Sequence, residues 1–510
     1  MQQIRQDTSV RPTSIRYITT AYAMVLAIIM YLDRVCISQA APAMTHDLGL
    51  TRVQMGWALS AFAWAYALFE VPGGWLGDRI GPRRVLMRIV LWWSFFTAAT
   101  GWVWNATSLV VTRALFGAGE AGCFPNLTRV FTTWLPVGER ERAQGMLWLA
   151  ARWSGAFTPL FVAYVLDLIS WRRTFEIFGL AGVAWAIAWY WWYRDDPRTH
   201  PGINEAELAL LPGADQSARA TDVPWGRIAR SVSVWMLCLQ YACLSYGWYF
   251  YITWLPTYLR EARGTSLKFG ALLASLPLLL GGVGCMVAAY LIPRLARSSG
   301  SIVLARRIVA IVGFVGASAA VLAFTRVSDP VRAMLLLGLA GFFNDFVMPA
   351  AWAGCMDIGG RYSGTVSGTM NMVGNIGGAL SPLIVGYILT WNPGNWALTF
   401  YVSSAIYLMG AVCWLLIDAH TPLETAQGSC LRAHSRWLKA QGSRLTAQGS
   451  WRLRAHGSRR GFDGRCWRQA VSVSSHDTSQ RTRLLSSRRQ GGAHHRRRAR
   501  ARAHDGDRAG

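Results

Sequence analysis

Charged residues lie inside hydrophobic stretches that are long enough to cross a lipid bilayer. Asp33 and Arg34 lie in the first stretch, Arg113 and Glu120 in the fourth, and Arg152 in the fifth. A charged residue at the centre of a membrane helix costs about 2.5–3.5 kcal/mol on insertion scales, so such residues usually face a water-filled cavity and bind a solute or carry protons. This pattern predicts a transporter for a charged solute.

Arg34 is the preferred candidate for binding an anion. Its guanidinium is a planar fork of N–H donors that matches a carboxylate and keeps its charge. Tyr31 lies three residues earlier, on the same helix face. Arg113 and Glu120 are two helical turns apart on one face, a rise of roughly 10 Å. We expect these residues to line one cavity.

Glu120 has two possible roles. Burial favours the neutral acid whereas a nearby arginine favours the carboxylate, so Glu120 could change protonation between two access states. Alternatively, it could form a permanent ion pair with Arg34 or Arg113. We favour the proton-carrying role because ionisable residues inside membrane helices are usually functional.

Arg152 has two interpretations that the sequence does not separate. It could bind a second carboxylate or a phosphate of the substrate. It could also pair with a membrane acid such as Asp345 and hold helices together. In the second half of the chain, Asn371 is expected to contact the substrate, and Asp357 is expected at a helix end or gate. Tyr66 is a weaker candidate for the cavity wall.

The composition excludes a soluble domain. The chain has 510 residues, of which 53% are hydrophobic, and it contains 26 Trp. A soluble fold could not hide so much apolar surface. The formal net charge of +25 could suggest nucleic acid, but much of the excess lies after Asp418. The cysteines show no CxxC spacing, so the sequence predicts neither a zinc site nor a disulfide framework.

Runs of about 20 apolar residues predict twelve transmembrane helices, so the fold class is an all-α membrane protein. The helices form two sets of six, within residues 1–193 and 233–417, and a polar cytoplasmic linker covers 194–232. Residues 418–510 are basic and of low complexity, and we expect them to be disordered. The predicted spans are 17–38, 56–76, 85–104, 107–130, 142–166, 174–193, 233–257, 269–292, 305–324, 331–356, 364–388 and 395–417.

Lysine and arginine are concentrated in the predicted loops on one side of the membrane. By the positive-inside rule, both termini are cytoplasmic. The sequence therefore predicts a multi-pass protein of the plasma (inner) membrane. The segment after Leu423 could bind anionic lipid, or it could be a recently acquired or frame-shifted end.

The loop after the second predicted span has a specific pattern. It reads GWLGDRIGPRR from Gly74 to Arg84 and resembles the signature loop of the major facilitator superfamily, G-x-L-x-D-R-x-G-x-R-R. Asp78 is expected to meet helix N-termini and arginines of the other half, where glycines permit close approach, and so to hold the cytoplasmic side closed. The predicted gating residues are Gly74, Asp78, Arg79, Gly81, Arg83 and Arg84.

Within that superfamily, the chain resembles the anion:cation symporter family over about residues 17–424. The matching segments are YLDR at 31–34, RALFGAGE at 113–120, ERERA at 139–143, DPRTHP at 196–201, TWLP at 253–256 and MNMVGN at 370–375. The resemblance implies that Arg34 anchors the substrate and that Arg113 supports it. It also implies that Asp33 and Glu120 carry protons.

We therefore expect a secondary transporter, not an enzyme, that moves a small organic anion with protons by alternating access. The expected substrate is a sugar acid such as an aldarate, aldonate or hexuronate. No catalytic residue, metal site or cofactor is expected, although Na⁺ could replace the proton as coupling ion. The expected partners are the organic anion and the lipid bilayer, without nucleic acid, and the protein is expected to work as a monomer. The alternatives are a phosphate or organophosphate transporter and a membrane sensor or scaffold with a basic tail.

Overall fold

The computed structural model describes residues 11–418 and 423, apart from residues 212–222, 256–257, 260–261 and 265–266. The regular secondary structure in this part of the chain is helical throughout. The segment predicted to be disordered lies outside the described residues, apart from Asp418 and Leu423.

The first half of the chain forms seven helices among the described residues. Two of them begin with a capping box, in which Thr51 and Gln54, or Asn105 and Ser108, satisfy each other's free N–H groups. The helices are α1 (Ile15–Asp47), α2 (Arg52–Ile80), α3 (Pro82–Thr100), α4 (Ala106–Glu120), α5 (Cys123–Trp134), α6 (Arg140–Leu168) and α7 (Trp171–Trp192).

The linker contributes two short helices, α8 (Glu205–Leu208) and α9 (Trp225–Arg230). In the second half, Ser231, Ser301, Asp329 and Asn395 each cap a helix N-terminus through the side chain. The helices are α10 (Val232–Thr253), α11 (Leu267–Ser299), α12 (Ile302–Phe324), α13 (Pro330–Phe346), α14 (Met348–Gly359), α15 (Ser363–Trp391) and α16 (Trp396–Leu416).

Two predicted spans, 107–130 and 331–356, are interrupted rather than continuous. The first breaks after Glu120, where Gly122 adopts a φ of 80° that favours glycine. The second breaks near Asp345, because Pro349 has no N–H to donate to the carbonyl four residues earlier. The Cys285 thiol donates to that Asp345 carbonyl instead, at 3.2 Å. An acidic residue therefore lies beside each break.

Six helical segments in the described part of the chain are long and apolar enough to cross a membrane, judged by length and composition alone. The other long helices, α2, α3, α7 and α10, all contain tryptophan, and all but α10 also contain charged residues, which lower their hydropathy. The six segments are Ile15–Asp47, Val137–Leu168, Ser275–Ser299, Ile302–Phe324, Val331–Trp391 and Trp396–Leu416.

The two halves pack in a matching arrangement. Within the first half, α1 packs on α6, α2 on α4 and α3 on α7, and within the second half α10 packs on α15, α11 on α13 and α12 on α16. Between the halves, α2 contacts α15 and α6 contacts α11. These four helices therefore make the most extensive contacts across the boundary between the halves, where a central site can lie.

The polar segment after α7 was expected to be a solvated linker, but part of it is packed against the first half. Glu207 is fully buried, and its carboxylate accepts the backbone N–H groups of Ile15 and Arg16 at 3.2 and 3.1 Å. It also pairs with the Arg16 guanidinium at 3.0 Å. Glu207 thereby satisfies free N–H groups at the start of α1, a role that composition alone did not predict.

His200 fixes the same segment against aromatic rings. Its imidazole meets Trp134 and Trp192 edge to face, with ring centroids 5.6 and 5.1 Å apart. The Gly202 N–H donates to His200 Nδ1 at 3.1 Å, which requires that nitrogen to be unprotonated. Burial, and then the nearby positive charge of Arg194, lower the pKa of His200.

Candidate functional site

A cavity of about 60 Å³ lies between the two halves. Five of the six predicted substrate-binding residues line it: Tyr31, Arg34, Tyr66, Arg152 and Asn371. The other lining residues are Phe124, Trp148, Tyr241, Leu244, Ser245, Trp248, Tyr249, Asn344, Met348 and Asn375. The wall therefore combines two cations with amides, hydroxyls and aromatic rings, a chemistry suited to a small polar anion.

Arg34, on α1, is held by an acid and by aromatic rings. Its Nε and Nη2 donate to Glu120 Oε1 at 3.2 and 2.9 Å. The guanidinium carbon lies 4.6 Å from the Tyr66 ring centroid and 5.1 Å from that of Phe62. Both hydrogen bonds go to a single oxygen, so Glu120 does not form the two-oxygen fork that a carboxylate can offer. One-fifth of the Arg34 side chain is exposed, whereas Glu120 is fully buried.

Asp33 does not line the cavity, although it is next to Arg34 in sequence. Adjacent residues point to different faces of a helix, and Asp33 instead has Trp93 and Thr97 of α3 among its neighbours. The carboxylate is fully buried, and its polar neighbours on α3 are the Trp93 indole and the Thr97 hydroxyl. Asp33 is therefore separated from the substrate cavity but coupled electrostatically to Glu120.

Arg113 was predicted to line the cavity, but it is not among the lining residues. Its guanidinium carbon lies 4.3 Å from the ring centroid of Phe116 and 5.2 Å from that of Phe62. The Arg113 guanidinium therefore packs against two rings that do not line the cavity. From there its charge acts on Glu120 and Asp33 without direct access to a substrate.

Glu70, on α2, is a buried acid at this site that the sequence analysis missed. Its Oε1 accepts the Asn371 Nδ2 donor at 2.7 Å, and its Oε2 accepts the Gly122 N–H at 3.3 Å. Glu70 thus links Asn371, a cavity residue of the second half, to Gly122, at the helix break that follows Glu120. The signal was available, because Glu70 is an acid within the second predicted span.

Arg152 and Asp345 form an ion pair between α6 of the first half and α13 of the second. Nε lies 2.6 Å from Oδ2, and Nη2 donates to Oδ1 at 3.0 Å. This ion pair matches the second interpretation of Arg152, in which it pairs with a membrane acid and holds helices together. The structure also places Arg152 on the cavity wall, as the first interpretation requires.

Asp78 contacts the N-terminus of α15 across the boundary between the halves. Its oxygens accept the Gly364 N–H at 3.0 Å, the Thr365 N–H at 2.6 Å and the Thr365 hydroxyl at 2.7 Å. A Cβ at Gly74 would lie 2.2 Å from the Gly364 carbonyl oxygen, so only glycine permits this approach. The signature loop therefore closes one end of the boundary.

The remaining gating residues stay within the first half. Arg83 Nε and Nη2 donate to the Tyr190 carbonyl at 2.9 and 2.6 Å, at the end of α7. The Arg83 N–H donates to Asp195 Oδ1 at 2.9 Å, and a Cβ at Gly81 would meet the same carboxylate. Arg79 and Arg84 are exposed. Arg83 therefore organises the loop and does not cross to the second half.

A second set of charged contacts lies at the end of the boundary that Asp78 closes. Asp357 pairs with Arg140 of the first half, with Oδ1 2.7 Å from Nη1, and with Arg306 of the second half. Arg306 Nε also donates to Glu141 Oε1 at 2.7 Å. Asp357, predicted at a helix end or gate, thus joins both halves.

The two helical halves, the polar cavity between them and the closure on one side define a membrane transport protein. The sequence matches the Major Facilitator Superfamily model over residues 23–382 and 304–438. The chain belongs to the Major Facilitator Superfamily, as the signature loop predicted.

Curated relatives confirm the resemblance to sugar-acid permeases. The chain is 36% identical to the "Probable sulfoacetate transporter SauU" of Cupriavidus necator, over 79% of this chain and 94% of that protein. It is 32% identical to the "D-galactonate transporter" of Escherichia coli, over 80% of this chain and 96% of that protein. It is 31% identical to the "Probable galactarate/D-glucarate transporter GudP" of Bacillus subtilis, over 78% of this chain and 90% of that protein.

Solved structures agree on the fold. The human organic anion transporter MFSD10 superposes with a TM-score of 0.63 at 16% identity, covering 79% of this chain and all of that chain. The proton:xylose symporter XylE superposes with a TM-score of 0.64 at 13% identity, covering 79% of this chain and 96% of that chain. At these identities the similarity establishes the fold alone.

Proposed function

We propose that the protein imports a small organic anion, a sugar acid or a related carboxylate, together with protons by alternating access. The observation that carries this proposal is Arg34, which lies on the cavity wall and is paired with Glu120 through one oxygen only. A substrate carboxylate offers both oxygens and so competes well for the guanidinium fork. The relatives are named as transporters, two of them as probable transporters, of sulfoacetate, galactonate and galactarate, which are all carboxylates, and these names support this class.

Proton coupling follows when a substrate carboxylate replaces the Glu120 carboxylate at Arg34. When a substrate carboxylate takes the guanidinium, Glu120 loses its hydrogen-bond donor while it remains buried. An ionised carboxylate buried without a donor costs several kcal/mol, so proton uptake by Glu120 accompanies substrate binding. Asp33 is fully buried, close to Glu120 in electrostatic terms, and is suited to bind a second proton.

Alternating access follows from the contacts between the halves. The Asp78 and Asp357 contacts hold one end closed, and we assign that end to the cytoplasm by the positive-inside rule. Breaking them lets the halves rock about the central site. The proposal includes twelve transmembrane helices, cytoplasmic termini, a plasma-membrane location and a monomeric functional unit.

Uptake into proteoliposomes tests this proposal. Arg34→Ala should abolish uptake of radiolabelled galactonate while the inserted protein stays folded, and Arg88→Ala, at an exposed arginine of α3, is the matched control. Competition by carboxylates supports the proposal. Competition by phosphate esters alone, or uptake driven by Na⁺ alone, would favour the alternative transporter classes.

Truncation after Leu423 separates transport from a role of the basic tail. The truncated protein should retain uptake because the cavity and the contacts between the halves lie within residues 11–418. If binding to lipid or nucleic acid were the main activity, truncation would remove it, and the full-length protein would show no substrate-dependent uptake.

A further inference from the structure

The Arg152–Asp345 pair places a second cation on the cavity wall, with an acid already bound to it. Arg152 is 4% exposed and Asp345 is 2% exposed. Two nitrogens of the guanidinium face two oxygens of the carboxylate, the geometry in which arginine binds a free carboxylate most strongly. Asp345 therefore occupies the position that an anionic group of a ligand would take.

The surroundings leave Asp345 with a donor even without Arg152. Asn344 Nδ2 donates to Asp345 Oδ1 at 2.9 Å, and Tyr407 donates to Asn344 Oδ1 at 3.2 Å. A Cβ at Gly281 would lie 2.5 Å from Asp345 Oδ2, so the facing helix leaves space only because the residue is glycine. The Asp345 carboxylate can thus keep a hydrogen bond while its contact with Arg152 changes.

Tyr31 contacts both cations of the cavity wall, Arg34 and Arg152. The Arg34 guanidinium carbon lies 5.6 Å from the Tyr31 ring centroid, and Arg152 Nη1 donates to the Tyr31 hydroxyl at 3.3 Å. The two guanidinium groups therefore contact different parts of one side chain. A small molecule with an anionic group at each end can reach both cations, whereas a molecule with one anionic group can satisfy only one.

We propose that Arg152 and Asp345 form an exchangeable ion pair, in which the second anionic group of a doubly charged substrate replaces the Asp345 carboxylate at Arg152. This inference rests on the proposed function and narrows its substrate class to small organic acids with two anionic groups. Exchange keeps Arg152 paired throughout, so no buried guanidinium is left without a partner. A singly charged acid leaves the ion pair intact and lacks this second interaction.

Two matched pairs of probes test the inference. Galactarate and galactonate share a six-carbon skeleton and differ in one terminal carboxylate, and sulfoacetate and acetate differ in the sulfonate. Binding of each probe to purified full-length protein is measured by calorimetry in wild type, Arg152→Gln, Asp345→Asn and the double variant. Asp167→Asn, at an exposed acid of α6, is the control.

Removing the competing acid should favour the doubly charged probes, and removing the cation should disfavour them. We expect Asp345→Asn to raise the galactarate-to-galactonate affinity ratio about tenfold, and Arg152→Gln to lower it about tenfold. The double variant has no buried charge left unpaired at this position, so it tests the inference even if a single variant fails to fold. Its ratio should match that of Arg152→Gln.

The outcomes separate this inference from the proposed function. If the variants change affinity for both members of each probe pair equally, so that the ratios stay at the wild-type value, the ion pair is structural and the inference is overturned. If wild type binds none of the four acids, the proposed function fails and the inference fails with it. A shifted ratio for both pairs supports the exchange.

Discussion

Asp78→Ala should open the end of the boundary that the signature loop closes. The carboxylate accepts two N–H groups and one hydroxyl at the start of α15, at 3.0, 2.6 and 2.7 Å. Hydrogen bonds to a charged group contribute about 1.5–3 kcal/mol each, but neighbouring bonds are not additive and water replaces them when the halves separate. We take the stabilisation of the closed state that Asp78→Ala removes as about 3 kcal/mol in total. This loss lowers the closed-to-open ratio roughly 150-fold.

Electron–electron distance measurements between spin labels at exposed Arg84 and Ser298, one in each half, report this opening. The variant should show a longer-distance population that wild type lacks. Asp196→Ala is the matched control, because this acid has an exposed side chain that contacts Arg198 of the same segment. Gly74→Ala should also open the boundary, since its Cβ would lie 2.2 Å from the Gly364 carbonyl oxygen. Identical distance distributions in wild type and Asp78→Ala would refute the closing role.

Three further variants probe the site and its surroundings. Arg34→Lys should weaken galactonate binding about 100-fold, because lysine lacks the planar fork, and near-normal affinity by calorimetry would remove Arg34 from the anchor role. Glu70→Gln should weaken binding of hydroxylated acids about tenfold relative to unhydroxylated carboxylates, because the Asn371 amide loses its charged acceptor; equal losses would indicate a purely structural role. The pKa of His200 is lowered, so docking of the linker should be fully present above about pH 6.5 and weaken as the pH falls through the lowered pKa. Hydrogen exchange of residues 196–208 should show this pH dependence in wild type and lose it in His200→Phe, and an unchanged dependence in the variant would contradict the assignment.

Sequence patterns predicted the helical class, the superfamily and five of the fifteen residues that line the cavity. The reason is physical: a charge within a long apolar run is costly, so its position alone marks Arg34 and Arg152 as functional or paired. The contact of Asp78 with a helix N-terminus in the other half was also predicted, because an acid among glycines suits such a contact. Among the described residues, however, the arginine near Asp78 is Arg129 of the same half, at 3.7 Å, and not one of the other half as expected. Hydropathy was sufficient for the helical class, whereas the superfamily and the Asp78 contact were predicted from the signature loop.

Other features depend on contacts between residues far apart in sequence. Arg113 was expected to line the cavity but is not among the lining residues; its guanidinium packs against Phe116 and Phe62, and the contact with Phe62, on another helix, is not visible in a local pattern. The packed state of the linker depends on Glu207 meeting the start of α1, about 190 residues earlier. The pairing of Arg152 with Asp345 was one of two open alternatives, and the sequence could not show that Arg152 both forms this pair and lines the cavity, because the two residues lie on different helices.

Proton movement during substrate uptake tests the central claim most directly. Lightly buffered proteoliposomes containing wild-type protein, with a pH-sensitive dye inside, are given galactonate or galactarate without an imposed gradient. Substrate entry should acidify the interior in wild type. In Glu120→Gln the acidification should disappear while exchange of labelled for unlabelled substrate continues, because the amide mimics the protonated acid but releases no proton. Substrate uptake by wild type without any proton movement, or acidification by Glu120→Gln at the wild-type rate, would contradict proton coupling through Glu120.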